Sequence, residues 1–237
     1  MTHDLLREVG STGGYELSDD QLERLERYLE LLQRDRDRLD LTAIRNPGEL
    51  VRRQVGESLA LLRVVEEFGL PAGSRLTDIG SGGGAPGIPI AIARPDLDPV
   101  LIEASTIKAA WLSETVEELD LRAAVLAIRA EEAGRQPDQR AQSDAVVAKA
   151  VAPLRALLEL SIPLLRTGAC LFAPKGSRLD DELEQAADAL DVLAAAVVDR
   201  RPLSPFDRGP VVLIVRKLAA TAERFPRSPA AIGKRPL

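Results

Sequence analysis

A turn made of small residues is the first feature of the sequence that could do chemistry. Residues 77–93 read TDIGSGGGAPGIPIAIA, with four glycines in five positions between the end of a predicted strand and two prolines. Gly80, Gly82 and Ala85 satisfy the spacing G-x-G-x-x-[GA] of cofactor-binding turns. Glycine lets the backbone turn tightly and approach a ligand with no Cβ in the way. The pattern alone is compatible with a dinucleotide, a phosphate or S-adenosylmethionine.

Two carboxylates accompany this turn. Asp78 immediately precedes the glycines, and Glu103 follows Gly80 by 23 residues, at the end of the next predicted strand. A carboxylate in the position of Glu103 can accept hydrogen bonds from ribose hydroxyls, in NAD and in S-adenosylmethionine alike. Asp78 can approach the ammonium group of a ligand, and a sulfonium cation tolerates an acidic pocket better than a pyrophosphate does. The two carboxylates therefore favour S-adenosylmethionine.

Residue types that are scarce in the chain exclude other chemistries. His3 is the only histidine and Cys170 the only cysteine, which rules out an internal disulfide and a Cys-built zinc site. A histidine base and a His-ligated metal are not expected. Tyr15 and Tyr28 both precede the predicted sheet, which leaves a nicotinamide enzyme without groups for hydride chemistry. Pro86 suits the first position of the helix that follows the turn. We predict S-adenosylmethionine as cofactor and no metal.

The elements that must position this turn alternate along the chain. Apolar runs predict seven strands, at 75–79, 100–104, 124–128, 145–148, 169–173, 195–199 and 211–217. Helical patterns separate the first six, at 87–93, 106–119, 131–134, 153–165 and 180–190, whereas the proline-rich segment RRPLSPFDRGP precedes the seventh. This alternation predicts an α/β fold with a mostly parallel sheet, helices on both faces and a last strand that runs antiparallel.

Helices are also predicted before the sheet. The stretch LSDDQLERLERYLELLQRDRDRL places leucines at positions 22, 25, 29 and 32, which form one apolar stripe, and Ser18 with Gln21 has the form of a capping box. A second helix is predicted from about residue 48 to residue 67. We expect three parts: an N-terminal helical segment packed on the core (1–70), the core itself (71–218) and a basic C-terminal tail (219–237).

The charge is distributed unevenly. The chain carries a net charge of −6, but residues 216–237 hold six basic residues and one acidic residue, or +5, so the remainder carries −11. A basic tail on an acidic body indicates a localised contact with a polyanion, a solvated tail being the other interpretation. The prolines of this tail predict an extended chain. No signal-peptide pattern and no apolar run of about 20 residues is present, so we expect a cytoplasmic protein with no membrane partner.

Several longer motifs are specific to one family. The stretches DIGSGGGAPGIPIAI, IEASTIKAAWLSETVEELDL, RAEE, AKAVAPLRALLEL, APKG and RFPRSPAAIGKRPL occur in this order. They resemble the bacterial ribosomal RNA small subunit methyltransferase G family, also called the glucose-inhibited division protein B family. The resemblance extends from about residue 22 to residue 237. It implies a Rossmann-like class I S-adenosylmethionine-dependent methyltransferase fold, with a seven-stranded sheet preceded by N-terminal helices.

The resemblance also implies which residues bind the cofactor. Together with the turn itself, the positions that match the family's motifs are Asp78, Gly80, Gly82, Ala85, Glu103, Ala104, Ser105, Ala130, Glu131 and Lys149. Three positions depart from the family's usual pattern. Lys149 stands where an arginine is usual, Gln54 where a histidine is usual, and Ala85 where a larger apolar residue is usual. A lysine keeps the charge of an arginine but loses its planar fork of donors.

The activity that the resemblance implies is methyl transfer from S-adenosylmethionine to N7 of one guanine in 16S rRNA. N7 carries an exposed lone pair and no proton, so it can attack the methyl carbon in line with the departing sulfur. No general base is needed, and we predict no catalytic acid or base. For stacking on the guanine, Phe172 ends the fifth predicted strand near the expected substrate side and Phe206 lies in the loop before the seventh. We expect Trp111 in the core.

Basic residues are the expected contacts to RNA phosphates. The candidates are Arg53, Lys175, Arg178, Arg227, Lys234 and Arg235. The expected partner is 16S rRNA or the small ribosomal subunit, bound by a monomer. Two alternatives stay open: a cofactor- and RNA-binding sensor or chaperone with little turnover, and a methyltransferase with a non-RNA acceptor, because a fold does not fix a substrate.

Overall fold

A seven-stranded sheet organises the computed structural model, which describes residues 2–203 and 210–237. Its strands are β1 (Arg75–Ile79), β2 (Asp98–Ile102), β3 (Ala124–Leu126), β4 (Ser143–Val147), β5 (Leu165–Lys175), β6 (Ala195–Pro202) and β7 (Val211–Lys217). The spatial order is β3-β2-β1-β4-β5-β7-β6. The first five strands pair in parallel, and β7 inserts antiparallel between β5 and β6. The predicted sheet and its antiparallel last strand are confirmed.

Helices cover both faces of the sheet. They are α1 (Thr2–Thr12), α2 (Asp19–Leu39), α3 (Pro47–Leu50), α4 (Glu57–Glu67), α5 (Gly87–Ala93), α6 (Thr106–Glu118), α7 (Ala130–Ala133), α8 (Leu154–Ser161), α9 (Leu179–Gln185), α10 (Ala187–Val192) and α11 (Pro229–Lys234). A π-helical segment (Val51–Gly56) joins α3 to α4, and a 3₁₀ turn (Ile162–Leu164) follows α8. No helix in residues 2–203 and 210–237 combines the length and apolarity that a membrane crossing requires.

Several predicted boundaries shift for identifiable reasons. The helix expected over 153–165 ends at Ser161, because Pro163 lacks the amide hydrogen needed to continue it, and β5 begins at Leu165. The helix expected over 180–190 divides into α9 and α10 at Ala186. The helix expected over 48–67 consists of two α-helical parts, α3 and α4, which the π-helical segment joins without a break. The spacing of apolar residues does not reveal such a segment.

Two apolar clusters hold the helices to the sheet. Alternate side chains of each strand point to opposite faces, so Leu76 and Ile79 of β1 join different clusters. The first cluster includes the leucines of α2 at 22, 25, 29 and 32, whose predicted burial is confirmed, together with side chains of α4. The second includes α8 and the C-terminal segment. The division of the chain into three parts stays a prediction.

Both ends of the described chain form short helices that pack on the rest of the fold. Helix α1 covers the start, and His3 lies 2.9 Å from the carboxylate of Glu26. The prediction of an extended basic tail is wrong, since Ser228 caps α11 through a hydrogen bond from the amide of Ala231. Phe225 and Ile232 are buried against the second cluster. Their burial explains why the tail packs instead of extending.

Candidate functional site

The glycine turn connects β1 to α5 at the carboxyl edge of the sheet. Gly80 has a φ of +69°, in the left-handed region that favours glycine, and a Cβ there would lie 2.9 Å from Cγ2 of Val151. Pro86, after a cis peptide bond to Ala85, is the N-cap of α5, so its predicted place at the first helical position is wrong by one residue. The turn thus brings backbone, rather than side chains, to the crevice where such sheets bind ligands.

Glu103 fastens the end of β2 to this turn. One carboxylate oxygen accepts a hydrogen bond from the amide of Gly82 at 2.9 Å, and the other accepts from the amide of Ser105 at 2.8 Å. The side chain is nearly buried, and Ser105 in turn caps α6. Because a carboxylate oxygen can accept more than one hydrogen bond, acceptor capacity remains for ribose hydroxyls. The contact predicted for Ala104, between these two residues in the chain, stays a prediction.

Asp78 carries an unsatisfied buried oxygen. Its Oδ2 accepts a hydrogen bond from the amide of Gly87 at 3.1 Å, whereas its buried Oδ1 has no hydrogen-bond partner within the described parts of the chain. Burial raises the pKa of this carboxyl to about 7, although the nearby Ser81 hydroxyl, the hydrogen bond from Gly87 and the charge of Lys149 act in the opposite direction. A cationic group placed here would satisfy Oδ1 and favour the ionised form. This site therefore suits the ammonium end of the predicted cofactor.

Tyr28 supports the turn from outside the sheet. This fully buried side chain of α2 donates a hydrogen bond to the carbonyl oxygen of Gly83 at 2.7 Å. Its contribution was not predicted, although a tyrosine within the leucine stripe of α2 was the available signal.

At the other end of the predicted pocket, Ala130 and Glu131 begin α7 just after β3, and Glu131 is buried.

Lys149 links the sheet to the N-terminal helices. It follows β4, and its ammonium donates a hydrogen bond to the carbonyl oxygen of Arg53 at 3.0 Å, in the π-helical segment. The carboxylate of Glu57 lies 3.8 Å away. Burial lowers the pKa of Lys149, and the carboxylates of Glu57 and Asp78 oppose that effect. The charge expected at position 149 therefore interacts with two acids, Glu57 and Asp78.

A cleft of about 880 Å³ lies beside the glycine turn, beyond Lys149 and Val151. It brings together three of the six basic residues predicted to contact RNA, Arg53, Lys175 and Arg178, and Lys149, which was predicted to contact the cofactor. Gln54 also lines it. The residues that line it do not include Arg227, Lys234 or Arg235, which belong to the C-terminal segment. The cleft is the space next to the predicted cofactor pocket where an acceptor could enter.

Acidic partners of these basic residues were not predicted. Arg53 contacts Glu57 at 3.2 Å, and Lys175 contacts Glu182 at 2.8 Å. On the C-terminal segment, Arg227 contacts the fully buried Glu159 at 2.6 Å. Arg178, Lys234 and Arg235 are exposed. The pair of Arg53 and Glu57 has the i,i+4 spacing that a helix brings together, whereas the sequence offered no signal for the other two pairs, whose members lie on different elements.

The aromatic residues do not provide a stacking surface in the described cleft. Phe172 is buried in the core and packs edge-to-face on Phe68 with ring centroids 5.6 Å apart, so its predicted place near the substrate is wrong. Trp111 is in the core, as predicted, and donates a hydrogen bond to Asp35. Phe206 lies outside the described residues. Within those residues there is no cluster of three His, Cys, Asp or Glu side chains that could hold a metal ion.

Solved structures share the fold. A branched-chain polyamine synthase mutein of Thermus thermophilus aligns with a TM-score of 0.60 and 11% identity, over 82% of this chain and 63% of that one. A provisionally assigned S-adenosyl-L-methionine-dependent methyltransferase of Methanococcus maripaludis aligns with a TM-score of 0.55 and 12% identity, over 73% of this chain and 91% of that one. The fold is the Rossmann-like fold of class I S-adenosylmethionine-dependent methyltransferases, as predicted.

Sequence comparison identifies the family. Residues 21–202 match the family model described as rRNA small subunit methyltransferase G. Proteins named ribosomal RNA small subunit methyltransferase G are 40% identical in Chloroflexus aggregans, over 100% of this chain and 98% of that protein, and 38% identical in a Roseiflexus species, over 99% of both. The cofactor is S-adenosylmethionine. Its ribose hydroxyls suit the acceptors of Glu103 beside the glycine turn, and its ammonium group suits the unpaired Oδ1 of Asp78. The chain belongs to the ribosomal RNA small subunit methyltransferase G family.

Proposed function

We propose that this protein transfers a methyl group from S-adenosylmethionine to N7 of one guanine in 16S rRNA. The observation that carries the proposal is the junction of two spaces at Lys149 and Val151. On one side is the glycine turn, and on the other is the cleft with its four basic residues. Family membership supports an rRNA acceptor.

The proposed chemistry needs position more than proton transfer. S-adenosylmethionine supplies, when bound, an electrophilic methyl group on a sulfonium. N7 of guanine carries no proton, so none of the described side chains has to act as a base. The chain's task is alignment, which can contribute roughly 7–11 kcal/mol to a reaction between two held partners. Asp78 and Glu103 would bind the ammonium group and the ribose of the cofactor and so fix the position of its methyl group.

RNA would reach this cleft through its phosphates. We propose Arg53 and Arg178 as contacts at the cleft, and the exposed Lys234 and Arg235 as contacts outside it. Arg227 already contacts Glu159, and we assign it to holding the tail. The proposed partner is 16S rRNA, alone or within the small ribosomal subunit. The proposed active form is a cytoplasmic monomer.

The test is transfer of a tritiated methyl group to 16S rRNA and to small subunits that lack the modification. Chemical reduction of N7-methylguanine, followed by cleavage of the RNA strand at that position, then identifies the labelled nucleotide. Label at N7 of a single guanine supports the proposal, whereas label at another atom overturns the N7 assignment. Binding of cofactor and RNA without label would favour a sensor, the alternative that the unusual Gln54 and Lys149 suggest. An R178Q variant with unchanged RNA affinity would remove Arg178 from the contact set.

A further inference from the structure

The loop of residues 149–153 separates the glycine turn from the cleft. It follows β4 directly, and Val151 packs against the turn where Gly80 has no Cβ. All five residues of this loop also line the cleft. A shift of this loop would therefore move the wall between the cofactor pocket and the acceptor space.

This loop has a backbone conformation that requires support. Ala150 has a φ of +58°, in the left-handed region, although it carries a Cβ. For a residue other than glycine this conformation costs roughly 1–2 kcal/mol, and it persists only where neighbouring contacts impose it. Contacts at both ends of the loop supply that constraint.

Two lysines fix those ends. At the start, the ammonium of Lys149 donates to the carbonyl oxygen of Arg53. At the far end, the ammonium of Lys175 donates to the carbonyl oxygen of Ala152 at 3.1 Å and to Glu182 at 2.8 Å. The same oxygen of Glu182 accepts from the amide of Leu154 at 2.7 Å.

Two of the three donors of the Lys175 ammonium are therefore used within the protein. Its side chain lines the cleft but is only 10% exposed. Burial alone would raise the pKa of Glu182, but hydrogen bonds from Lys175 and Leu154 outweigh it and lower the pKa, which keeps the acid ionised. A phosphate that approached the ammonium would have to share it with this carboxylate and with the carbonyl oxygen of Ala152.

We propose that Lys175 and Glu182 are positioning residues, which hold the 149–153 loop so that the acceptor base meets the cofactor in line. This proposal rests on the proposed methyl transfer to RNA. It replaces the prediction that Lys175 contacts RNA phosphate. The two roles make opposite predictions for Glu182, because removal of that acid frees Lys175 for phosphate but releases the loop.

The test compares K175Q, E182Q and the double variant with the wild type. If Lys175 and Glu182 are positioning residues, each single variant should lower kcat at least tenfold and leave KM for RNA within twofold of the wild-type value. The double variant should be no worse than either single one, since the two side chains act as one unit. The slope of log affinity for RNA against log salt should stay unchanged. If the slope for K175Q is smaller in magnitude than that of the wild type by about one, the proposal is overturned, because such a decrease marks the loss of one phosphate contact.

The matched control for E182Q is D180N, on the same helix. Asp180 is 83% exposed and pairs with Arg200 on the outer surface, so its removal changes the net charge without touching the loop. If E182Q binds RNA more tightly than D180N does, Lys175 is a phosphate contact and the proposal fails. Should K175Q not fold, E182Q decides the question alone.

A measurement without RNA separates this proposal from the proposed function. In E182Q, hydrogen exchange at the amide of Leu154 and in residues 150–152 should become at least tenfold faster, relative to D180N. Unchanged exchange would show that the pair does not hold the loop. If the wild type transfers no methyl group to rRNA, the proposed function fails, and the exchange result still reports on the loop.

Discussion

The side chain of Val151 fills the space into which a Cβ at Gly80 would project, with Cγ2 2.9 Å from that position. The cofactor turn and the loop beside the acceptor cleft are thus packed against each other. They are in contact although Gly80 and Val151 lie 71 positions apart in the sequence. A substitution at Gly80 should therefore disturb both spaces.

Replacement of Gly80 by alanine should reduce affinity for S-adenosylmethionine by at least tenfold. The new methyl group would contact Val151, and the positive φ would add roughly 1–2 kcal/mol of strain. Calorimetric titration measures the affinity. G73A is the matched control, because Gly73 has a φ of +77° with nothing in the described chain within 4 Å of the added Cβ. Equal effects of G80A and G73A on cofactor affinity would contradict the role of the Val151 contact.

Asp78 should make cofactor binding depend on pH. Its pKa is about 7 in the protein, and a cationic ligand favours the ionised form. Affinity should rise with pH up to about 7 and then level off, and binding below pH 7 should release a proton from this carboxyl. Titrations from pH 5.5 to 8.5, in buffers of different ionisation enthalpy, measure both effects. D78N is the control, and an identical pH profile in D78N would exclude Asp78 as the titrating group.

The same carboxyl should reduce stability as pH rises. Its ordinary pKa is 3.8, so between about pH 4 and pH 7 the folded protein binds a proton that the unfolded chain has released. The free energy of unfolding should therefore fall across this range, by an amount on the order of 4 kcal/mol at most. Urea unfolding of wild type and D78N checks this prediction. The stability of D78N relative to wild type should increase with pH, and a constant difference would contradict it.

Loss of Arg227 should affect stability more than RNA binding. Its guanidinium donates to both oxygens of Glu159, which is fully buried. R227Q leaves that carboxylate without its charge partner, which typically costs about 3–5 kcal/mol. Thermal and urea unfolding measure the loss, with R235Q as control because Arg235 is exposed. If R227Q unfolds like R235Q and binds RNA more weakly, Arg227 contacts RNA instead.

Lys217 should give the protein a second pH dependence. This side chain is buried, and its ammonium donates to the carbonyl oxygen of Leu165 at 2.7 Å. Burial lowers its pKa to about 8 from an ordinary value of 10.5. Above pH 8 the folded protein releases the proton while the unfolded chain retains it, so stability should rise from pH 8 to pH 9.5. Unfolding of K217M over this range should lack the rise, and a parallel rise in K217M would assign it to another group.

Local patterns in the sequence predicted the fold and the cofactor turn well. The alternation of apolar runs with helical stretches was sufficient for the sheet, because burial on both faces requires it. Gly80 and Glu103 were predictable since each follows directly from the end of a strand, and parallel strands end at one edge. The N-terminus and the tail were harder, because the short helices α1 and α11 depend on packing for their stability.

The sequence by itself determined which chemistry is available: a glycine turn with two carboxylates, and no central histidine or cysteine pair. Only the tertiary structure decided which charged side chains are paired within the protein and which remain available to a ligand. The contacts of Lys149 with Arg53, Lys175 with the 149–153 loop, and Arg227 with Glu159 join different elements or turns. Periodicity reports which face of an element is buried but not what lies opposite. A basic residue that pairs with a buried acid and one that remains free for phosphate therefore look alike until the chain is folded.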